Sequence, residues 1–200
     1  MILSRRDYKE LEVGLLFYHC SSVARIKDLE PNTPNYFDKP RLVSMTTLLP
    51  MALFYGISHF EYTYGYNREK KLYYMEHFPD ALEKLYSGKK AFLYQCEDKD
   101  NYEKTMIPNE FVSRSSVHVI GVVVIEDLYE EILKQEKLGN LIIIRYQDLN
   151  NENREWIKNA ETEVILKKGL LDQKSAFSEY MRMTYPDSWI LAETRTKCAK

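Results

Sequence analysis

A chain of 200 residues in which 44% are hydrophobic and 29% charged can bury one real core and is too apolar to be disordered throughout. Its formal net charge of -2 supplies no field to gather a phosphate backbone, so sequence-independent nucleic-acid binding is not expected. Three scattered cysteines without a C-x-x-C spacing indicate neither a disulfide framework nor a zinc site, and no apolar run reaches the roughly 18 residues of a membrane span. A cytoplasmic, non-membrane protein is the expectation.

In chain order, Met1 to Val13 is polar and mixed in charge, a short helix or an arm. Leu15 to Ser22 is a short apolar run that stops abruptly in His-Cys-Ser-Ser, as a buried strand delivering polar groups would. Asp28 to Asn35 is a loop, because Pro31 and Pro34 fix φ and Asp and Asn favour turns. Arg41 to Thr46 reads as a strand. Leu48 to Phe60 spaces its apolar residues as a one-sided helix does, with Pro50 tolerable in the first turn. Leu72 to Met75 is too short to assign by period. Ala81, Leu82 and Leu85 suggest a short helix ending at Ser87-Gly88.

Ala91 to Cys96 is a strand by composition, and Glu97 to Thr105 is charged and solvated. Asn109 to Ser113 is a late strand carrying Glu110. Val117 to Ile125 is the strongest strand signal, and its unbroken apolar character suggests burial on both faces. Glu126 to Leu138 is a helix stopped by Gly139, Leu141 to Tyr146 another strand, and Asn151 onward helical, with a second helix over Ala176 to Met183 broken at Tyr185-Pro186-Asp187. Strands in the middle with helices at intervals and at the end make an α+β protein, a single domain over 1–200.

Recurrent catalytic motifs are missing. His19, His59, His77 and His118 sit on four separate predicted elements with no His-x-x-x-His spacing, so no metal is expected. There is no G-x-x-x-x-G-K-[ST] and no G-x-G-x-x-G. Cys20 beside His19 cannot form a dyad directly, since neighbours on a strand point to opposite faces.

What remains is an ordered triple: Tyr18-His19-Cys20-Ser21 ending a strand, Leu42 to Thr46 leading into a helix with Phe54-Tyr55, and Asn109-Glu110-Phe111-Val112. This order resembles the ADP-ribosyltransferase fold in its His-Tyr-Glu branch, of the diphtheria toxin and poly(ADP-ribose) polymerase type. The resemblance implies a bent or split mixed sheet over about 15–146, with a helical C-terminal portion over about 151–195. It also implies transfer of ADP-ribose from NAD, as substrate, to a protein or nucleic-acid acceptor.

By that resemblance Glu110 is the catalytic carboxylate, and His19, Cys20, Ser21 and Tyr55 bind NAD. His19 and Ser21 would contact ribose, and Tyr55, with Phe54 beside it, would stack on the nicotinamide ring. Cys20 departs from the pattern, standing where the family usually has glycine. Each residue also has a plain structural reading: a strand-end histidine, a core tyrosine, an edge carboxylate. Two other functions share the fold, an inactive binding protein and an RNA 2'-phosphotransferase. The latter needs an Arg and His cluster, for which only Arg25, Arg41 and Arg114 lie near the proposed elements.

Overall fold

The computed structural model describes residues 16–31, 41–58, 63–98 and 102–198. The arm expected over Met1 to Val13, the start of the first run at Leu15 and most of the loop after Asp28 lie outside them. Ten strands are found among the described residues: β1 Phe17–Ser21, β2 Asp28–Leu29, β3 Val43–Thr46, β4 Tyr64–Tyr66, β5 Leu72–Met75, β6 Ala91–Cys96, β7 Glu103–Lys104, β8 Glu110–Ser113, β9 Val117–Ile125 and β10 Ile142–Ile144. Six helices accompany them: α1 Leu49–Leu53, α2 Ala81–Tyr86, α3 Leu128–Lys137, α4 Asn151–Lys167, α5 Ala176–Thr184 and α6 Pro186–Cys198. The protein is α+β, with unclosed sheets and a helical C-terminal region.

The described residues form two compact units, one of those before position 59 with Leu85–Leu141, the other of those over 63–84 with 142–198. The first unit contains a seven-stranded sheet in the order β2-β9-β6-β1-β3-β8-β7, in which all pairs are antiparallel. One face of its sheet gathers Phe17, Val43, Met45 and Cys96 into a core with Leu29 and Val117. Tyr102 and Phe111 meet the Phe17 ring edge-on at 4.9 and 5.0 Å, the geometry that aromatic quadrupoles favour. On the other face α1 and α3 close in tightly. A Cβ on Gly56 would lie 2.8 Å from Leu128 Cδ1, 3.0 Å from Ala91 Cβ and 3.0 Å from Cys20 Sγ.

Two expectations for this unit are corrected. β9 is not buried on both faces, for Ile120 is 57% and Val124 37% exposed and His118 is exposed as well. Of the helix expected over Leu48 to Phe60, whose last two residues lie outside the described ones, Leu49–Leu53 is the α-helical part among the described residues. The amides of Tyr55 and Gly56 then reach back three residues, to the carbonyls of Ala52 and Leu53, so the turn tightens and carries Tyr55 beyond the helix.

The second unit has a three-stranded sheet, β10-β5-β4, with β10 parallel to β5. The strand expected over Leu141 to Tyr146 is thus present as β10, in this second sheet, and the one parallel pairing among the described residues is here. Glu76, 4% exposed, ties the unit together: its two oxygens accept from the amides of Leu82 and Tyr146, both at 3.0 Å. Among the helices, Thr162 donates to the Lys158 carbonyl and lies 3.2 Å from that of Ser188 on α6. The break expected at Tyr185-Pro186 ends α5 at Thr184, and Pro186 at once opens α6, since proline loses nothing at the first position of a helix.

Candidate functional site

The site lies wholly in the first unit, where β1 and β3 part. Their ladder registers at a single pair, Tyr18 opposite Thr46, whereas β1 runs in register with β6 over all five of its residues. One residue pair further along, the His19 ring reaches across and its Nδ1 lies 2.9 Å from the Ser44 carbonyl oxygen. A side chain thus takes the carbonyl that a continued ladder would use, and the strands diverge.

That divergence explains how residues of both sheet faces reach one cleft. Register puts Tyr18, Thr46 and Glu110 side by side on one face, and the strict alternation of a strand puts His19 and Met45 on the other. A closed sheet would separate them. Here a cleft of about 340 Å³ is lined by Tyr18, His19, Cys20, Ser44, Met45, Thr46, Met51, Ala52, Tyr55 and Glu110. That volume includes space open to solvent, and the lining is mainly apolar with a few convergent polar groups, as is typical of ligand pockets. Among the described residues no lysine or arginine lines it.

Each polar group in the lining has a traceable cause. A carbonyl can only accept, so His19 Nδ1 carries the proton toward Ser44 and, in the neutral ring, Nε2 is left as an acceptor. Burial holds the imidazole below its ordinary pKa, outweighing the opposing effect of the Ser44 hydrogen bond, so the ring is neutral at pH 7. Tyr18 is half-buried, and that burial raises its phenol. Thr46, 4% exposed, accepts from the Leu48 amide at 3.1 Å; it thereby fixes the start of α1 and with it the direction in which Tyr55 leaves.

Glu110 opens β8 after a turn whose last residue, Asn109, has φ 63°, a left-handed conformation that asparagine tolerates better than most residues. The turn is tied to β3, since Thr47 donates its amide to the Asn109 carbonyl at 3.1 Å. The Thr105 hydroxyl donates to Glu110 Oε2 at 2.6 Å. The carboxylate is half-buried and has no other hydrogen-bond partner among the described residues.

Of the residues proposed from sequence, the cleft brings together His19, Cys20, Tyr55 and Glu110, from three separate stretches of chain. It does not include Ser21, whose hydroxyl instead accepts from the Val23 amide at 3.1 Å in the turn after β1. Nor does it include Phe54: that ring is 1% exposed and packs 6.4 Å from Tyr86 in the core. Cys20 does not crowd the cleft as a residue in a glycine position could. Its side chain is 2% exposed and its Sγ fills the space that Gly56, lacking a Cβ, leaves open. Burial pushes its thiol up to about 12, so it is not a nucleophile.

Sequence reasoning missed Thr46, Ser44 and Thr105. Nothing in their spacing marks them, because each acts through a backbone or carboxylate partner that only the fold supplies. Arg114, one of three arginines considered near the site, is engaged elsewhere, donating from Nε to Glu103 Oε1 at 2.8 Å. Among the described residues no three His, Cys, Asp or Glu side chains gather as a metal site requires, and no helix is long and apolar enough to cross a membrane. The chain matches no family model, and neither a curated protein nor a solved structure is significantly similar to it.

Proposed function

We propose that the cleft binds the nicotinamide end of NAD and that the protein is an ADP-ribosyltransferase, moving ADP-ribose to a protein or nucleic-acid acceptor in the cytoplasm. The observation that carries this reading is the opening between β1 and β3, which lets a neutral histidine, a half-buried tyrosine and a carboxylate line one small cleft. Their chemistry suits the task. Tyr55 offers a ring face to a flat cationic ring, an interaction of about 0.5–2 kcal/mol. His19 Nε2 is an acceptor for a ribose hydroxyl.

In the reaction the bond between ribose C1' and the nicotinamide nitrogen breaks, and its electron pair leaves with the nitrogen, which becomes neutral. Positive charge then develops on the ribose. A carboxylate beside it stabilises that transition state more than the ground state, which is the role given to Glu110. The acceptor's nucleophile attacks C1' and loses its proton.

The RNA 2'-phosphotransferase alternative is less well supported, since among the described residues no arginine or lysine lines the cleft and Arg114 is paired with Glu103. The experiment is incubation of the full chain with NAD labelled in its adenosine half, in a cell extract supplying acceptors. Label carried into macromolecular material, with nicotinamide released in equal amount, supports transfer. Binding of NAD without release of nicotinamide leaves a binding protein.

A further inference from the structure

We infer that Thr105 is a positioning residue that aims the Glu110 carboxylate; the inference rests on the NAD-transfer reading and names a residue that this reading does not contain. Thr105 sits just past β7, five positions before Glu110, at the base of the turn that leads into β8. Its backbone amide donates to the Glu110 carbonyl at 3.1 Å, and the Glu110 amide donates to the Ile107 carbonyl at 3.1 Å. The two residues are thus held opposite one another before their side chains are considered.

The hydroxyl between them has little freedom. Thr105 Oγ1 accepts from the Ile107 amide at 3.0 Å, which occupies a lone pair and directs the single hydroxyl proton elsewhere. Two acceptors compete for it, Glu110 Oε2 at 2.6 Å and the Ile107 carbonyl at 3.4 Å. The first wins on distance and on charge, since hydrogen bonds to a carboxylate are shorter and roughly twice as strong as neutral ones. Threonine is also stiff at χ1, so the donor does not wander.

The consequence is that one carboxylate oxygen is pinned by the turn while Oε1 has no protein partner among the described residues. Glu110 begins its strand and carries three rotatable side-chain bonds, so without such a pin it would swing toward solvent. Thr105 therefore contributes by restricting the carboxylate to orientations that serve the developing charge, and touches no reacting atom itself.

The test compares Thr105→Val and Thr105→Ser in the full chain, reading nicotinamide release over a range of NAD concentrations, with a thermal melt of each. Thr105→Val is expected to lower kcat by about 10–100-fold with KM for NAD within about twofold, while Thr105→Ser, which keeps the hydroxyl, stays within about threefold of wild type. In a Glu110→Gln background Thr105→Val should change the residual rate by less than about twofold, since a pin has no effect once the group it aims has lost its charge. A full kcat in Thr105→Val, a loss that Thr105→Ser does not rescue, or the same loss repeated in the Glu110→Gln background overturns the positioning role while leaving NAD transfer standing. Wild type that releases no nicotinamide overturns the NAD reading and this inference with it.

Discussion

His19 makes two separable contributions, and substitution by asparagine and by alanine can take them apart. Asparagine places its NH2 about where Nδ1 sits and so can still donate to the Ser44 carbonyl, but it offers nothing at the Nε2 position. Alanine removes both. Losing the donor strands a carbonyl beside a half-buried ring, which costs about 1–3 kcal/mol, whereas losing an acceptor for one ribose hydroxyl costs about 0.5–1.5 kcal/mol of binding. His19→Ala should therefore lower the urea midpoint at unchanged slope and weaken NAD binding, while His19→Asn should keep most of the stability and still bind NAD about 2–10-fold more weakly.

The same ring sets a pH dependence. Its folded-state pKa is depressed by burial from the ordinary 6.5, so between 6.5 and the lower folded value the unfolded chain binds a proton that the folded chain refuses. Stability contributed at this site is thus full above about pH 6.5 and is lost as pH falls through that window. His19→Asn should flatten that part of the acid limb. Urea unfolding at pH 7.5 and 5.5, with calorimetric titration of NAD, reads both effects. If His19→Asn proves as unstable as His19→Ala, or binds NAD as wild type does, the assignment of the two ring nitrogens is wrong.

Two other outcomes follow from the cleft and its surroundings. Tyr55→Ala should weaken NAD binding by about tenfold, roughly 1.4 kcal/mol, with Tyr55→Phe close to wild type; a fall in melting temperature with no change in affinity would make Tyr55 a packing residue only. Burial pushes both Cys20 and Cys96 up to about 12, and Cys198 is exposed, so a thiol reagent at pH 8 should modify one cysteine quickly in the folded protein and all three after denaturation. A second fast thiol would contradict the burial of Cys20 or Cys96, and modification mapped to Cys20 would contradict its packing against Gly56.

Much of the sheet was legible because β-branched and apolar runs are bounded by turn chemistry. β6 and β9 coincide with Ala91 to Cys96 and Val117 to Ile125, and β8 begins one residue after the turn-forming Pro108-Asn109. Glu110 could be found for that reason. β5 could not be assigned, since a four-residue apolar run fits either helix or strand. α6 was hidden by reading Pro186 only as a breaker, although proline both ends helices and starts them.

The opening between β1 and β3 left no trace in the pattern, because it depends on His19 reaching a backbone carbonyl on a strand 25 residues away. The two faces of β9 were misread for a related reason. Apolar composition reports what a strand could bury, and the neighbours that would cover it are chosen by the fold.

Nicotinamide release by Glu110→Gln beside wild type, at saturating NAD and with a melt of each protein, bears on the proposed chemistry most directly. The substitution keeps size and leaves Thr105 an amide oxygen to donate to, so the fold and the affinity for NAD should change little. Turnover should fall by about two or more orders of magnitude, because the charge that stabilises the developing oxocarbenium is gone. Equal rates in the two proteins would show that Glu110 does not act in the reaction.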